Sequence, residues 1–146
     1  MIKNRIVVIF LAMCLILGTV PFALGSSSQT SSSSTVYISA FYTGAPHENA
    51  NQEYVKITNE GTTPVNLNGW EIRDQDAKHT YTFSSYTLNS KSTVTLVSGH
   101  GQDSGSTLYW NKYSFIWNNH DPDHNEYGDT AYLYNAQGKL VYSKNG

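Results

Sequence analysis

Among 146 residues there is one cysteine, Cys14. It falls inside an N-terminal stretch expected to be removed on export, so the remaining chain would carry no thiol. Such a chain can form no disulfide framework, no zinc–thiolate site and no cysteine nucleophile, and it must be held together by packing alone. Basic residues are also scarce. Setting aside Lys3 and Arg5 leaves seven basic residues against eleven acidic ones, a net charge of −4 with no basic cluster. Affinity for a phosphate backbone rests on Lys and Arg, so no nucleic-acid partner is expected. Sustained helical periodicity is missing beyond the N-terminal stretch. No repeat of about 20–50 residues is visible, which disfavours a propeller or solenoid.

The N-terminus has the pattern of a signal peptide, expected to span 1–25. Lys3 and Arg5 form a basic start, residues 6–17 are an unbroken apolar run, and Ala23-Leu24-Gly25 puts small residues where a signal peptidase reads. Residues 6–24 approach the roughly 20 residues that span a bilayer, so membrane association is expected only if this segment stays uncleaved. Pro21 and the small residues at its end argue for cleavage. Acylation at Cys14 is the third reading, but Met13 occupies the place where a small residue is expected. Residues 26–35 are Ser and Thr with one Gln, a composition that buries no core and serves as a flexible linker. One domain of about 110 residues is expected to follow, over 36–146.

That domain reads as strands. In residues 53–59 Val55 and Ile57 share one face with Glu53 and Asn59 at its ends, while Tyr54, Lys56 and Thr58 project the other way. This is the period-two alternation of a half-buried strand. Asn59-Glu60-Gly61 supplies turn chemistry and Pro64 opens the next strand, where a missing N–H is tolerated. Val65 and Leu67 resume the alternation, and Gly69 shifts the register so that Trp70 and Ile72 become the inward, core pair. Further strands are expected at 36–42, 78–83, 92–97, 113–117, 130–134 and 139–142, with a long loop over 98–112. His79, Tyr81 and Phe83 share a side, as do Val94 and Leu96. Asn135-Ala-Gln-Gly138 reads as a hairpin turn. Seven or eight short strands at regular spacing predict an all-β antiparallel β-sandwich.

These residues together resemble the lamin-tail domain family, of the prokaryotic secreted type. The resemblance rests on Glu53-Tyr-Val-Lys-Ile-Thr-Asn59 with Gly61, on Val65-Asn-Leu-Asn-Gly-Trp70 with Ile72 and Asp74, on Tyr81 and Phe83, and on Gly128-Asp-Thr-Ala-Tyr-Leu-Tyr-Asn-Ala-Gln-Gly138. It covers about residues 36–142 and implies an immunoglobulin-like β-sandwich acting as a non-catalytic module. It supplies no catalytic residues. A polar insertion, residues 118–127, departs from the simplest form of the pattern.

Within that insertion Asp121, Asp123 and Asn125 alternate like the start of an oxygen-ligand calcium loop. The glycine needed at the sixth position is Glu126, however, and the twelfth is Tyr132, which is no bidentate carboxylate. A polar loop with Asx turns accounts for the same residues. His120 and His124 are four apart among acids, but a loop gives that spacing no helix-face geometry and no H-E-x-x-H occurs. A metal-dependent hydrolase at the 120–129 loop would pair His120 as base with Asp121, yet no basic residue stands nearby to stabilise phosphate charge. His47 and His100 belong to no motif, and Gly99-His-Gly101 reads as a turn. No G-x-S-x-G is present. Catalytic residues and cofactors are therefore expected to be none.

The aromatics remain. Tyr109, Trp110, Tyr113, Phe115 and Trp117 are closely grouped. Tyr109, Trp110 and Tyr113 are the candidate binding residues: exposed and coplanar, they would form a platform for sugar rings, the mark of a carbohydrate-binding module. Phe115 and Trp117 are expected on one inward strand face. The sequence thus predicts a secreted, extracellular binding module without enzymatic activity, its partner an extracellular or cell-surface protein or, alternatively, a glycan.

Overall fold

Why these residues form strands is visible in how the two faces of each segment are used. In a computed structural model, residues 34–44, 49–117 and 128–146 are described. Ten strands carry these residues, with no helix among them: β1 (Val36–Tyr42), β2 (Tyr54–Asn59), β3 (Val65–Asn66), β4 (Glu71–Arg73), β5 (Thr80–Thr82), β6 (Thr87–Leu88), β7 (Ser92–Val97), β8 (Thr107–Tyr109), β9 (Thr130–Tyr134) and β10 (Leu140–Asn145). One four-stranded sheet has the order β1-β2-β7-β8 and a second β10-β9-β4-β5, while β3 and β6 form a short ribbon. All pairings are antiparallel except β7 with β8. This is the expected immunoglobulin-like sandwich, with the inner faces of two sheets filling one core.

Val36, Ile38, Val55, Ile57, Val94 and Leu96 fill the core from the first sheet, and Ile72, Ala131 and Leu133 from the second. The alternation in β1 breaks once. Between Ile38 and Ala40 the register against β2 slips, leaving Ser39 unpaired. After this bulge the inward parity changes from even to odd, so Phe41 packs against the core although Val36 and Ile38 set an even phase.

Gly69 does more than shift a register. Its φ of +77° suits a residue without a Cβ, and the turn it makes, with Trp70 N–H donating to Leu67 C=O at 2.8 Å, passes the chain from the β3–β6 ribbon to the second sheet. Leu67 and Ile72 take the fully buried positions on either side, so Trp70 lies half-buried against the core and not within it. The expected single bent strand is thus β3 and β4.

Two other expectations change. The stretch read as a long loop contains β8, which adds parallel to β7 and so shows no hairpin signal. Residues 113–117, expected as a strand, are not one. The hairpin at 135–138 forms as expected: Asn135 N–H donates to Lys139 C=O at 2.9 Å, and Gly138 has φ +73°. The leader, Cys14, nearly all of the Ser/Thr linker, His47 and the insertion with His120, Asp121, Asp123, His124 and Asn125 lie outside the described residues.

Candidate functional site

One end of the sandwich is built by the segment 111–117, which lies on the end of β7 and the approach to β2. After β8 the backbone still bonds to the β7 side: Trp110 N–H donates to Val97 C=O at 2.8 Å, Asn111 N–H to Gly99 C=O at 3.0 Å and Lys112 N–H to Ser98 C=O at 3.0 Å. Asn111 makes the reversal in a left-handed conformation, φ +58°, which Asn tolerates better than most residues. Gly99 permits the close approach. A Cβ there would lie 1.6 Å from Asn51 Oδ1, the atom that accepts the His100 N–H at 2.7 Å.

Beyond Lys112 the strand ladder ends and a side chain replaces it. The carboxyl of Glu53, the fully buried residue just before β2, accepts the N–H of Ile116 at 3.0 Å and of Trp117 at 3.3 Å. Two consecutive N–H groups turned toward one carboxylate cannot alternate as a strand requires. Ile116 and Trp117 are therefore both buried, while Phe115, expected inward, is 44% exposed. The Trp117 indole N–H is satisfied by Ser98 Oγ at 3.1 Å. Burial in an apolar setting pushes the Glu53 carboxyl up to about 7, outweighing the opposing pull of the two backbone N–H groups bonded to it.

The three aromatic candidates part company here. Trp110 is 8% exposed and joins an edge-on series of rings, 5.7 Å from Tyr81 and 5.8 Å from Trp117, which meets Phe41 at 4.8 Å. Tyr109 is half-buried, its ring lying over Gly101, where a Cβ would come within 2.3 Å of it. Of the three, Tyr113 alone stands out in solvent, 95% exposed, with its ring 4.0 Å from that of His100. A coplanar platform of Tyr109, Trp110 and Tyr113 is therefore not formed. Trp110 directly follows β8, whose inward packing carries it into the core. The exposed rings of the segment are instead Tyr113, against His100, and Phe115, which was missed because alternation within a strand would have turned it inward.

Phe115 also lines a pocket of about 190 Å³ whose wall includes Ile116, Asp74, His79, Gln75 and Asp129. Its carboxylates are engaged. Asp74 takes His79 Nδ1 at 2.8 Å and the His79 N–H at 3.2 Å. Asp129 Oδ1 accepts the N–H of Gln75 at 3.0 Å and of Thr130 at 2.7 Å, tying the turn after β4 to the start of β9. Among the described residues, no serine, threonine or cysteine lines the pocket. Nor is any group of three or more His, Cys, Asp or Glu among the described residues placed to hold a metal ion.

The family model described as Lamin Tail Domain matches residues 29–144, most of the chain. No curated protein matches it.

Proposed function

The chain belongs to the lamin tail domain family, and we propose that it works as a secreted, non-catalytic interaction module that binds an extracellular or cell-surface protein through the end of the sandwich formed by residues 111–117. The observation that carries this reading is Tyr113, 95% exposed beside the 44% exposed Phe115 on a short segment outside the sheets. Large rings presented together at a loop end give much contact area at low entropic cost, as binding hot spots do. The signal-peptide pattern over 1–25 supports export. A non-catalytic role is supported by the employment of Glu53 and Asp129 in fastening backbone, and by a pocket wall whose described residues offer no hydroxyl or thiol nucleophile.

Binding would be tested by passing the source cells' surface proteins over immobilised wild-type chain and over a Tyr113→Ala/Phe115→Ala double variant. A specific protein retained by the wild type and lost with the variant is the expected result. Equal retention by both would remove this face from consideration. Retardation on cell-surface polysaccharides in affinity electrophoresis, abolished by the same substitutions, would transfer the reading to a glycan ligand.

A further inference from the structure

The outward side of the first sheet carries a line of rings that the core does not use. In β2, Val55 and Ile57 turn inward, so Tyr54, Lys56 and Thr58 face out. The same parity turns Thr93, Thr95 and Val97 of β7 outward, with Thr107 and Tyr109 of β8, and after the bulge in β1 Tyr42 joins that side. Register then sets Tyr42 beside Tyr54, Tyr54 beside Val97 and Val97 beside Tyr109. One row thus crosses all four strands, about 14 Å from end to end at the usual strand spacing. The Tyr42 and Tyr54 rings are 5.7 Å apart and tilted by 33°. Tyr42 is 38% exposed, and Tyr54 and Tyr109 are half-buried. Alongside runs a second row, Lys56, Thr95 and Thr107, and beyond it a chain of hydroxyls. Thr58 Oγ1 donates to Ser39 Oγ at 2.7 Å and lies 2.7 Å from Thr93 Oγ1. Lys56 Nζ stands 5.1 Å from the centre of the Tyr54 ring, and among the described residues it forms no ion pair. The four strands contain no acidic residue. At their margins Glu60 is bonded by the Tyr37 hydroxyl and Asp103 by the Tyr109 N–H.

We propose that this face binds an acidic polysaccharide, with sugar rings stacked along Tyr42, Tyr54 and Tyr109 and a sugar carboxylate held by Lys56. The chemistry of the face selects that ligand. Tyrosine rings offer flat apolar area to the C–H faces of sugars, and the hydroxyls of Thr93, Thr95 and Thr107 both donate and accept, as sugar hydroxyls require. Lys56 is an unpaired cation on strands without acids, so it complements a carboxylate and bonds it with charge assistance. A nucleic acid needs many cations along its phosphates, and this face has one. A protein partner calls for an apolar centre with a polar rim, whereas here the rings form a line beside hydroxyls. The outer face of the second sheet makes the contrast. Its Arg73 is paired with Glu71 and stacked on Tyr134 at 4.5 Å, so its charge is already engaged. Tyr109 keeps the role expected of it from the sequence, but with neighbours from β1 and β2 in place of Trp110 and Tyr113. The site is separate from Tyr113 and Phe115 and does not rest on their reading as a binding face.

Native affinity electrophoresis of the chain through gels containing alginate, polygalacturonate or hyaluronan tests this, with hydroxyethylcellulose as the neutral counterpart. At least one acidic polymer should retard the wild type, and added salt should weaken the retardation. Tyr54→Ala should lower the affinity about ten-fold and Lys56→Ala about five-fold, while Tyr113→Ala/Phe115→Ala leaves it unchanged. No retardation by any acidic polymer, or equal or stronger retardation by hydroxyethylcellulose, would overturn the proposal. So would retardation untouched by Tyr54→Ala, or lost with Tyr113→Ala/Phe115→Ala. Should Tyr54→Ala not fold, Lys56→Glu decides: retardation that survives the reversed charge refutes the site, and its loss with an unchanged circular dichroism spectrum supports it. Failure here leaves the protein-binding reading standing, since that is tested on a different surface.

Discussion

Replacing Asn59 with alanine should cost about 2–4 kcal/mol, although the side chain touches no candidate ligand. Asn59 ends β2 fully buried. Its Nδ2 donates to the carbonyls of Thr63 at 2.9 Å, Leu88 at 3.2 Å and Asn89 at 3.2 Å. Its Oδ1 accepts from Gly61 N–H at 2.9 Å and Thr35 Oγ1 at 3.2 Å. One amide therefore joins the start of β1, the turn after β2 and the turn before β7. Alanine would leave these groups without their partner. Thr63 and Asn89 are exposed residues and their bonds to Asn59 only part-buried, so the cost concentrates on the buried Leu88 C=O and the partly covered Gly61 N–H, at about 1–3 kcal/mol each with partial relaxation. For a domain of about 110 residues that lowers Tm by on the order of 15 °C. Urea unfolding followed by tryptophan fluorescence should show a lower midpoint with an unchanged slope. Asn59→Asp sharpens the test. It keeps the shape and the Oδ1 contacts but turns an acceptor toward three carbonyls and buries a charge. It should be at least as damaging as alanine at pH 7 and partly recover near pH 3–4, when a proton restores one donor. A loss below about 1 kcal/mol in Asn59→Ala, or Asn59→Asp matching the wild type at pH 7, would refute the reasoning.

Trp110→Ala should destabilise by about 3–5 kcal/mol in the same assay, because it empties a position among Tyr81 and Trp117. Tyr113→Ala should change stability by no more than about 0.5 kcal/mol, as the ring is exposed. The wild type should lose at most roughly 3 kcal/mol in denaturant titrations as pH rises from 4.5 to 7, because the Glu53 carboxyl, raised to about 7 in the folded chain, holds its proton more tightly there than in the unfolded chain. Gly99→Ala should cost about 2–3 kcal/mol, since its Cβ would overlap Asn51 Oδ1. Failure to perturb the His100 amide resonance in that variant would count against the packing described.

The sequence was most legible where one face alone is wet. In β1, β7 and β9 alternating or β-branched residues bounded by turn chemistry place the strands to the residue, and Gly61 and Gly138 mark turns that form. The legibility fails where tertiary hydrogen bonds displace local preference. Residues 113–117 have strong β-propensity, but a carboxylate more than fifty residues earlier takes their N–H groups, and propensity yields to that context. β8 pairs in parallel within a glycine-containing stretch, without the short turn that reveals an antiparallel neighbour. The fate of Trp110 and Phe115 depends on both events, so the candidate surface could be placed in the right region but not resolved into its buried and exposed rings.

Glu53 and Asn59 have the same parity as Val55 and Ile57, and all four side chains face inward, so β2 and the residue before it present polar, apolar, apolar, polar to the core. A strand of six residues advances about 20 Å, which puts the two polar groups at opposite ends of the sandwich. Each does there what a ladder cannot: it satisfies N–H and C=O groups of irregular segments that would otherwise be buried unpaired. The apolar middle fixes the register, and a one-residue slip would expose all four side chains together. Register and loop anchoring are therefore a single property of β2. Burial acts differently on the two anchors. An amide is neutral at every ordinary pH, so the end held by Asn59 is fixed, whereas a carboxyl raised to about 7 by burial makes the other end sensitive to protons. It is that second end which carries Tyr113 and Phe115.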